Sequence, residues 1–402
     1  MSDWTQAAAS DMMQVFGEPQ AMLVRGSGCF LWDADGTEYL DFLGGIAVNA
    51  LGHAHPVMVE AISRQAAELI HVSNYFVTPP QLELAARLKR LTGAGEAGRV
   101  YFSNSGAEAN EAAFKLARLH SGSGARTRIL ALNGSFHGRT MGALALTGKP
   151  AIQTDFAPLP GGVTHIDATL DALEAEMDDT VAALIVEPIQ GESGVVELPD
   201  GYLARARELT QENGALLILD EVQTGAGRTG DWFAFKRAGI VPDAITLAKG
   251  MGGGFPIGAL VTFGAASDLF TPGKHGSTFS GNPLATATAN AVLGEIEASG
   301  LVENARERGE QLRELILGIG SPLITGVRGR GLLLGIALAE PVAADLVRAA
   351  LDVGLIINAP NPTTIRIAPP LTVGDDELRV FTERFTAAIA RIAAGTPNEG
   401  TL

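Results

Sequence analysis

A chain of 402 residues with 46% hydrophobic and 18% charged side chains is long and apolar enough for two or three cored domains, which excludes a disordered polypeptide. Its formal net charge of −16 argues against nucleic acid or an anionic membrane as partner, so any anionic ligand must be drawn by local arginines. The single cysteine, Cys29, excludes an internal disulfide, and there is neither a basic-then-apolar leader at Met1-Ser2-Asp3-Trp4 nor an apolar run of the roughly 18 residues a span needs, so a cytoplasmic, soluble protein is expected.

After a short polar lead, residues 22–25 and 29–32 are predicted to form a hairpin closing at Asp35-Gly36. His53-Ala54-His55-Pro56 is the one close histidine pair, and without a cysteine or Glu-x-x-His partner it reads as a turn rather than a zinc site. Residues 58–69 have helical spacing of apolar side chains. From about residue 80 helices (82–91, 107–120, 202–213) alternate with strands (100–102, 129–132, 182–187, 216–220, 244–248, 257–263). That alternation predicts a mostly parallel sheet covered on both faces. A long helical stretch runs from 283 to about 317. Beyond it, strands at 331–339, 355–358 and 364–367 with helices at 342–351 and 375–393 predict a smaller α+β unit, with the boundary near 280–300. The tail, 396–402, is expected to be loose.

In open parallel sheets, ligands sit at the carboxyl ends of the strands. The polar residues there are Ser103-Asn104-Ser105, Glu187, Asp220 and Lys249. Lys249 ends an apolar run and is followed by four glycines in five residues. Burying an unpaired ammonium costs several kcal/mol on the order of, and a fully desolvated lysine sheds its charge as its pKa falls by roughly 3–5 units. A neutral amine attacks carbonyls, which is the Schiff-base use of lysine; the plain alternative is a lysine that snorkels to solvent. Ser105-Gly106-Ala107-Glu108 fits a capping box, and the N–H groups of Gly106 and Ala107 can receive a phosphate, although capped helices without ligands are common. Asp220 follows a run apolar on both faces and needs a cation or several donors. A protonated pyridine nitrogen would serve, as in the electron-sink arrangement for pyridoxal phosphate; a structural aspartate paired with arginine is the alternative. Gly250–Gly254 leads through Phe255-Pro256 into another strand and so is no dinucleotide fingerprint. Gly142…Gly148-Lys149-Pro150 lacks P-loop spacing, and no Gly-x-Ser-x-Gly occurs with a plausible triad. Phosphate turn, buried acid and imine-forming lysine together indicate pyridoxal 5'-phosphate.

Six motifs occur in order between about residues 15 and 390. They are Asn104-Ser105-Gly106-Ala107-Glu108-Ala109-Asn110-Glu111, Phe136-His137-Gly138-Arg139-Thr140, Glu187-Pro188-Ile189-Gln190-Gly191-Glu192, Asp220-Glu221-Val222-Gln223-Thr224-Gly225, Leu247-Ala248-Lys249-Gly250 and Ser277-Thr278-Phe279-Ser280-Gly281-Asn282-Pro283. Together they resemble the class III (ω-amino-acid) aminotransferases. Phe42-Leu43-Gly44-Gly45-Ile46-Ala47-Val48-Asn49-Ala50-Leu51-Gly52-His53 and Arg328-Gly329-Arg330-Gly331-Leu332-Leu333-Leu334-Gly335 resemble the acetylornithine branch of that family in particular. Ser280 departs from the glycine more usual there.

The resemblance implies an α/β, fold type I pyridoxal-phosphate transferase. It implies a large cofactor-binding domain (56–290), a small C-terminal domain (291–402) and an N-terminal segment (1–55) contributing to the small one. It also implies that Lys249 carries the cofactor as a Schiff base and shuttles protons, and that Asp220 keeps the pyridine nitrogen protonated. Phe136 would stack on the ring, Val222 pack its other face and Gln223 hydrogen-bond its hydroxyl. Ser105, Gly106 and Ala107 would hold the phosphate, with Thr278 reaching it from the other subunit of a homodimer. Arg139, Arg366 and Ser277 would bind substrate, and Glu192 would mask Arg366 until glutamate or 2-oxoglutarate arrives. The implied reaction moves the terminal amine of N2-acetylornithine to 2-oxoglutarate. Ornithine, succinylornithine, succinyl-diaminopimelate and 4-aminobutyrate transamination remain open, as do an aminomutase, decarboxylase or racemase and a non-catalytic binding protein on the same fold.

Overall fold

Two apolar runs read as strands, Val181–Val186 and Leu216–Asp220, lie side by side in a seven-stranded sheet, and every residue of both is buried. The computed structural model describes residues 3–122, 124 and 126–394, so the tail expected to be loose lies outside the described residues. Across the sheet the order is Arg99–Ser103, Gly258–Thr262, Ala244–Leu247, Leu216–Asp220, Val181–Val186, Arg128–Leu132 and Val163–Ile166. Only Gly258–Thr262 runs against its neighbours.

Side chains alternate between the faces of a strand, and here both faces are covered. Ala183, Ile185, Leu216 and Ile218 cluster with Ala112, Ala113 and Leu116 of the helix Gly106–His120. Leu184, Val186, Leu217 and Leu219 join the main core with Tyr202 and Ala206 of the helix Tyr202–Asn213. The same alternation carries past the end of the strand. Asp220 shares the face of Leu216 and Ile218, toward the helix Gly106–His120, and Glu221 turns the other way.

Two four-stranded sheets and a two-stranded ribbon, Ile189–Gln190 with Val196–Glu197, complete the strands of the described residues. Ile324–Arg330, Leu333–Leu338, Thr364–Ile367 and Asn358–Asn361 form an antiparallel sheet. Leu23–Ser27, Phe30–Asp33 and Glu38–Asp41 form a meander whose last strand pairs in parallel with Leu355–Ile356. The chain's two ends are therefore hydrogen-bonded to one another.

Several local expectations change. The first hairpin closes at Gly28-Cys29, because Ser27 pairs with Phe30. Asp35-Gly36 closes the second hairpin, where Asp33 Oδ1 accepts the N–H groups of Asp35 and Thr37 at 3.0 and 2.8 Å. The long helix from 283 breaks into Pro283–Ala298 and Leu301–Gly318, since Gly300 sits at φ 64°, where the helix cannot continue. The polar lead holds a helix, Asp3–Asp11, and the edge strand Val163–Ile166 escapes a reading based on apolar runs because Thr164 and His165 interrupt it.

Phe42 of the N-terminal segment stacks on Phe381 of the helix Asp375–Ala393 with ring centroids 4.5 Å apart, and Phe381 stacks in turn on Phe385 at 5.3 Å. All three are fully buried. Phe381→Ala is expected to cost about 3–5 kcal/mol of stability, read as a lower denaturant midpoint, with the loss centred on the contact between the two ends of the chain.

Candidate active site

At the carboxyl end of the large sheet is a cleft of about 370 Å³, lined by Val48, Ser105, Gly106, Ala107, Asn110, Phe136, His137, Arg139, Glu187, Asp220, Val222, Gln223 and Lys249 among others. Asp220 lies at its floor, 4% exposed. Its Oδ2 accepts Nδ2 of Asn110 and Nδ1 of His137, both at 2.7 Å, and its Oδ1 accepts the N–H of Val222 at 2.9 Å. No lysine or arginine pairs with it among the described residues. Burial on its own would lower the pKa of His137, but the hydrogen bond and charge of Asp220, with Glu187 behind, outweigh it and raise the imidazole above its ordinary value. The fully buried acid Glu187 accepts the N–H of Phe136 at 3.0 Å, and burial pushes its carboxyl up to about 7.

The anion-binding turn follows the strand Arg99–Ser103. Ser105 Oγ accepts the N–H of Glu108 at 3.2 Å, as half of a capping box. The other half is displaced: the Glu108 carboxylate returns to the N–H of Asn104 at 2.5 Å, not to that of Ser105. The N–H groups of Gly106 and Ala107 have no carbonyl one turn back to bond and open the helix that lines the cleft. A Cβ on Gly106 would come within 2.9 Å of Val222, so only glycine lets that side chain lie over the turn.

Lys249 follows the strand Ala244–Leu247 with φ 41°, a left-handed conformation uncommon outside glycine. Its ammonium pKa is lowered, first by burial and then by the charge of Arg366, against the pull of Glu192, Asp220 and Glu187. Arg366, 1% exposed, comes from the strand Thr364–Ile367 of the small antiparallel sheet. Its guanidinium donates to Glu192 Oε1 at 2.5 Å, to Asn358 Oδ1 at 2.9 Å and to Gln223 Oε1 at 3.3 Å. Burial alone would raise the Glu192 carboxyl; the charge of Arg366 and its hydrogen bond, helped by Lys249 and Lys149, hold it below the ordinary value.

Ser105, Gly106, Ala107, Phe136, Arg139, Asp220, Val222, Gln223 and Lys249 thus line one cleft, and Glu192 and Arg366 join it through Gln223. The Arg139 guanidinium lies 5.6 Å from the centroid of the Phe136 ring. Ser277 stands at the edge, its hydroxyl accepting Nδ2 of Asn104 at 3.2 Å. Thr278 is exposed and lies outside the cleft. Sequence reading assigned no role to Asn110, His137 or Glu187. Asn110 was detectable as an amide on an otherwise alanine-lined helix face. The partnership of His137 with Asp220 joins positions 83 apart and left no local signal.

The residues present fit pyridoxal phosphate. The cleft offers helix N–H groups for a phosphate, a buried carboxylate paired with no lysine or arginine for a ring nitrogen, and an amine of lowered pKa for an aldehyde. Fold and site define a transferase of amino groups. Residues 13–389 match the family model for aminotransferase class-III. An acetylornithine aminotransferase from Streptomyces coelicolor is 54% identical over 94% of this chain and 93% of its own. An N-acetylornithine aminotransferase from Stenotrophomonas maltophilia superposes with a TM-score of 0.83 at 36% identity, covering 95% of this chain and 99% of its own. An ornithine aminotransferase from Toxoplasma gondii, which holds pyridoxal phosphate at partial occupancy in its active site, superposes with a TM-score of 0.91 at 32% identity, covering 98% and 95%. The chain belongs to the class-III aminotransferases.

Glu221, beside Asp220, is turned into the core, where it accepts the hydroxyl of Thr224 and the N–H of Phe235, the latter at 2.9 Å. Burial pushes its carboxyl up to about 7. A folded value above the unfolded one favours the protonated form, so this contribution is full below pH 4.5 and is lost as pH rises through about 7. It amounts to roughly 3 kcal/mol at most. Glu221→Gln is expected to remove that share of the decline, compared by denaturant midpoints at pH 5 and pH 8; an unchanged slope would refute it.

Proposed function

We propose that the chain transfers the terminal amino group of N2-acetylornithine to 2-oxoglutarate, giving N-acetylglutamate 5-semialdehyde and glutamate, with pyridoxal 5'-phosphate as cofactor. The ion pair of Glu192 and Arg366 beside the Lys249 cleft supports this most directly. An enzyme that takes an ω-amine in one half-reaction and an α-amino acid in the other needs an α-carboxylate site that can be hidden. A bare Arg366 would favour α-amino acids in both halves. Glu192 occupies it through a single contact, Nη1 to Oε1 at 2.5 Å, and a substrate carboxylate can take that place.

The bound cofactor supplies an aldehyde that takes up the amino group and a protonated ring that accepts the electrons of a broken C–H bond. The chain's own residues do the rest. Lys249 Nζ would hold the cofactor's aldehyde carbon and would carry the proton lost from the amine-bearing carbon of the substrate. Asp220, itself braced by Asn110 and His137, keeps the ring nitrogen protonated. Phe136 and Val222 would pack the two ring faces, Gln223 would meet the ring hydroxyl, and Ser105, Gly106 and Ala107 would receive the phosphate. Arg139 and Ser277 bind the far end of the substrate.

Thr278, outside its own cleft, would complete the phosphate site of a second subunit. Tyr75, Phe76, Val77 and Phe279 are exposed near the Asn74–Ser277 hydrogen bond, which fits burial in a homodimer with shared sites. Residues 56–290 form the cofactor-binding domain and 291–402 the small domain, to which 1–55 is joined through Glu38–Asp41. A cytoplasmic location fits the single, buried Cys29.

Two measurements test this reading. Lys249→Ala is expected to slow transamination by about a hundredfold or more, followed as the cofactor's absorbance change with 2-oxoglutarate and a panel of ω-amines; acetylornithine reacting no better than ornithine or 4-aminobutyrate would overturn the substrate assignment. Glu192→Ala is expected to raise the rate with glutamate relative to the ω-amine by about tenfold, measured as separate half-reactions; an unchanged ratio would sink the masking role.

A further inference from the structure

The carboxylate of Glu192 is exchangeable in this reading, but the backbone that carries it is held by three side chains. Three successive carbonyls of the turn each accept a side-chain donor. Lys149 Nζ reaches Glu192 O at 2.8 Å, Asn361 Nδ2 reaches Ser193 O at 3.1 Å and Arg328 Nε reaches Gly194 O at 2.7 Å. Ser193 Oγ adds a bond to Gly134 O at 2.6 Å. The turn is also strained. Gly194 has φ 101° and is followed by Val195 at φ 59°, a conformation a β-branched residue adopts only when its surroundings dictate it. Val195 is fully buried against Leu333 and Ala368.

The pairing register of the small antiparallel sheet explains why Arg328 stands apart from the other two donors. Arg328, Gly335, Arg366 and Asn358 are direct cross-strand partners in one row, so their side-chain positions share one face. Gly335 leaves a gap in that row, and the turn docks there: a Cβ on Gly335 would lie 2.7 Å from Gly194 O and 3.0 Å from Val195 Cβ. On one side of the gap Arg366 grips the Glu192 carboxylate. On the other, Arg328 grips the turn's backbone and, through Nη2, donates to Thr364 Oγ1 at 2.8 Å, two residues before Arg366 on the same strand.

We propose that Arg328 is the positioning residue of the Glu192 mask: bonded both to the turn that carries Glu192 and to the strand that carries Arg366, it fixes their spacing and so sets how readily a substrate carboxylate displaces Glu192. The inference rests on the masking role given to Glu192 above. Displacement is then a rotation of the Glu192 side chain over a stationary backbone. Loosening the anchor weakens the internal ion pair, and carboxylates compete better.

The test uses the cofactor-loaded enzyme and glutarate, a dicarboxylate with neither amine nor keto group, titrated by calorimetry. Arg328→Met, which removes the bonds to both Gly194 O and Thr364 Oγ1, is expected to bind glutarate about fivefold more tightly than the parent, the scale of a single hydrogen bond's net contribution. Arg328→Lys, which keeps the charge but has one donor nitrogen in place of the two that now bond, should fall between. In a Glu192→Ala background the same Arg328→Met change should shift glutarate binding less than about twofold, because the group it acts through is gone. Unchanged glutarate affinity in Arg328→Met, or an equal gain that persists without Glu192, would overturn the proposal while leaving the mask itself intact. No gain in the single variant Glu192→Ala would instead overturn the mask, and this inference with it. Should Arg328→Met fail to fold, Thr364→Val, which removes the acceptor beside Arg366, is expected to tighten glutarate binding in the same direction by about twofold, and no change there counts against the anchor.

Discussion

A carboxylate at the end of a strand with no polar face is the constraint from which the site is built. Asp220 cannot be left bare in that environment, and the fold answers with donors from two separate segments. Asn110 comes from the helix Gly106–His120 and His137 from the loop after Arg128–Leu132. Satisfying Asp220 therefore also locks that helix in place. The N–H groups of Gly106 and Ala107 lie about one turn, roughly 6 Å, from Asn110 along it. One buried acid thus sets the distance between the place for a ring nitrogen and the place for a phosphate.

The polar shell behind Asp220 also determines local charge. His137 meets Asp220 at 2.7 Å and has its pKa raised by Asp220 and Glu187 against the effect of burial, while burial pushes Glu187 up to about 7. Lys249 lies across the cleft with its charge disfavoured by burial and by Arg366. Burial thus disfavours charge on an acid, Glu187, and on an amine, Lys249, within one cavity, which leaves the amine ready to react.

In the proposed reading, substrate discrimination arises where a second sheet meets the first. Arg366 is a strand residue of the small antiparallel sheet, Glu192 belongs to the turn Gly191–Ser193 near the large one, and Gln223 links the pair to the cleft. The row through Arg328, Gly335 and Arg366 ties the turn to the strand that carries Arg366. A guanidinium fixed on its neighbours can exchange one carboxylate for another without moving the backbone. That property suits an enzyme whose two substrates differ in whether a carboxylate adjoins the reacting amine.

The amino-acid sequence by itself carried the large sheet, because runs such as Leu216-Leu217-Ile218-Leu219 have no polar face and can only be central strands. It also placed Asp220 and Lys249 at strand ends, and the motif order marked the family. Turn chemistry was read less well: Asp35-Gly36 closes a hairpin, but the partner strand begins at Glu38, and Gly300 splits a helix whose apolar spacing continues across it. Only the tertiary structure decided that Asn110 and His137 meet at Asp220, that Glu221 faces the core, and that Arg328 and Arg366 share one sheet row. Local pattern reports which side chains avoid water; contacts between positions 83 or 174 residues apart depend on strand order and register, which no local pattern encodes.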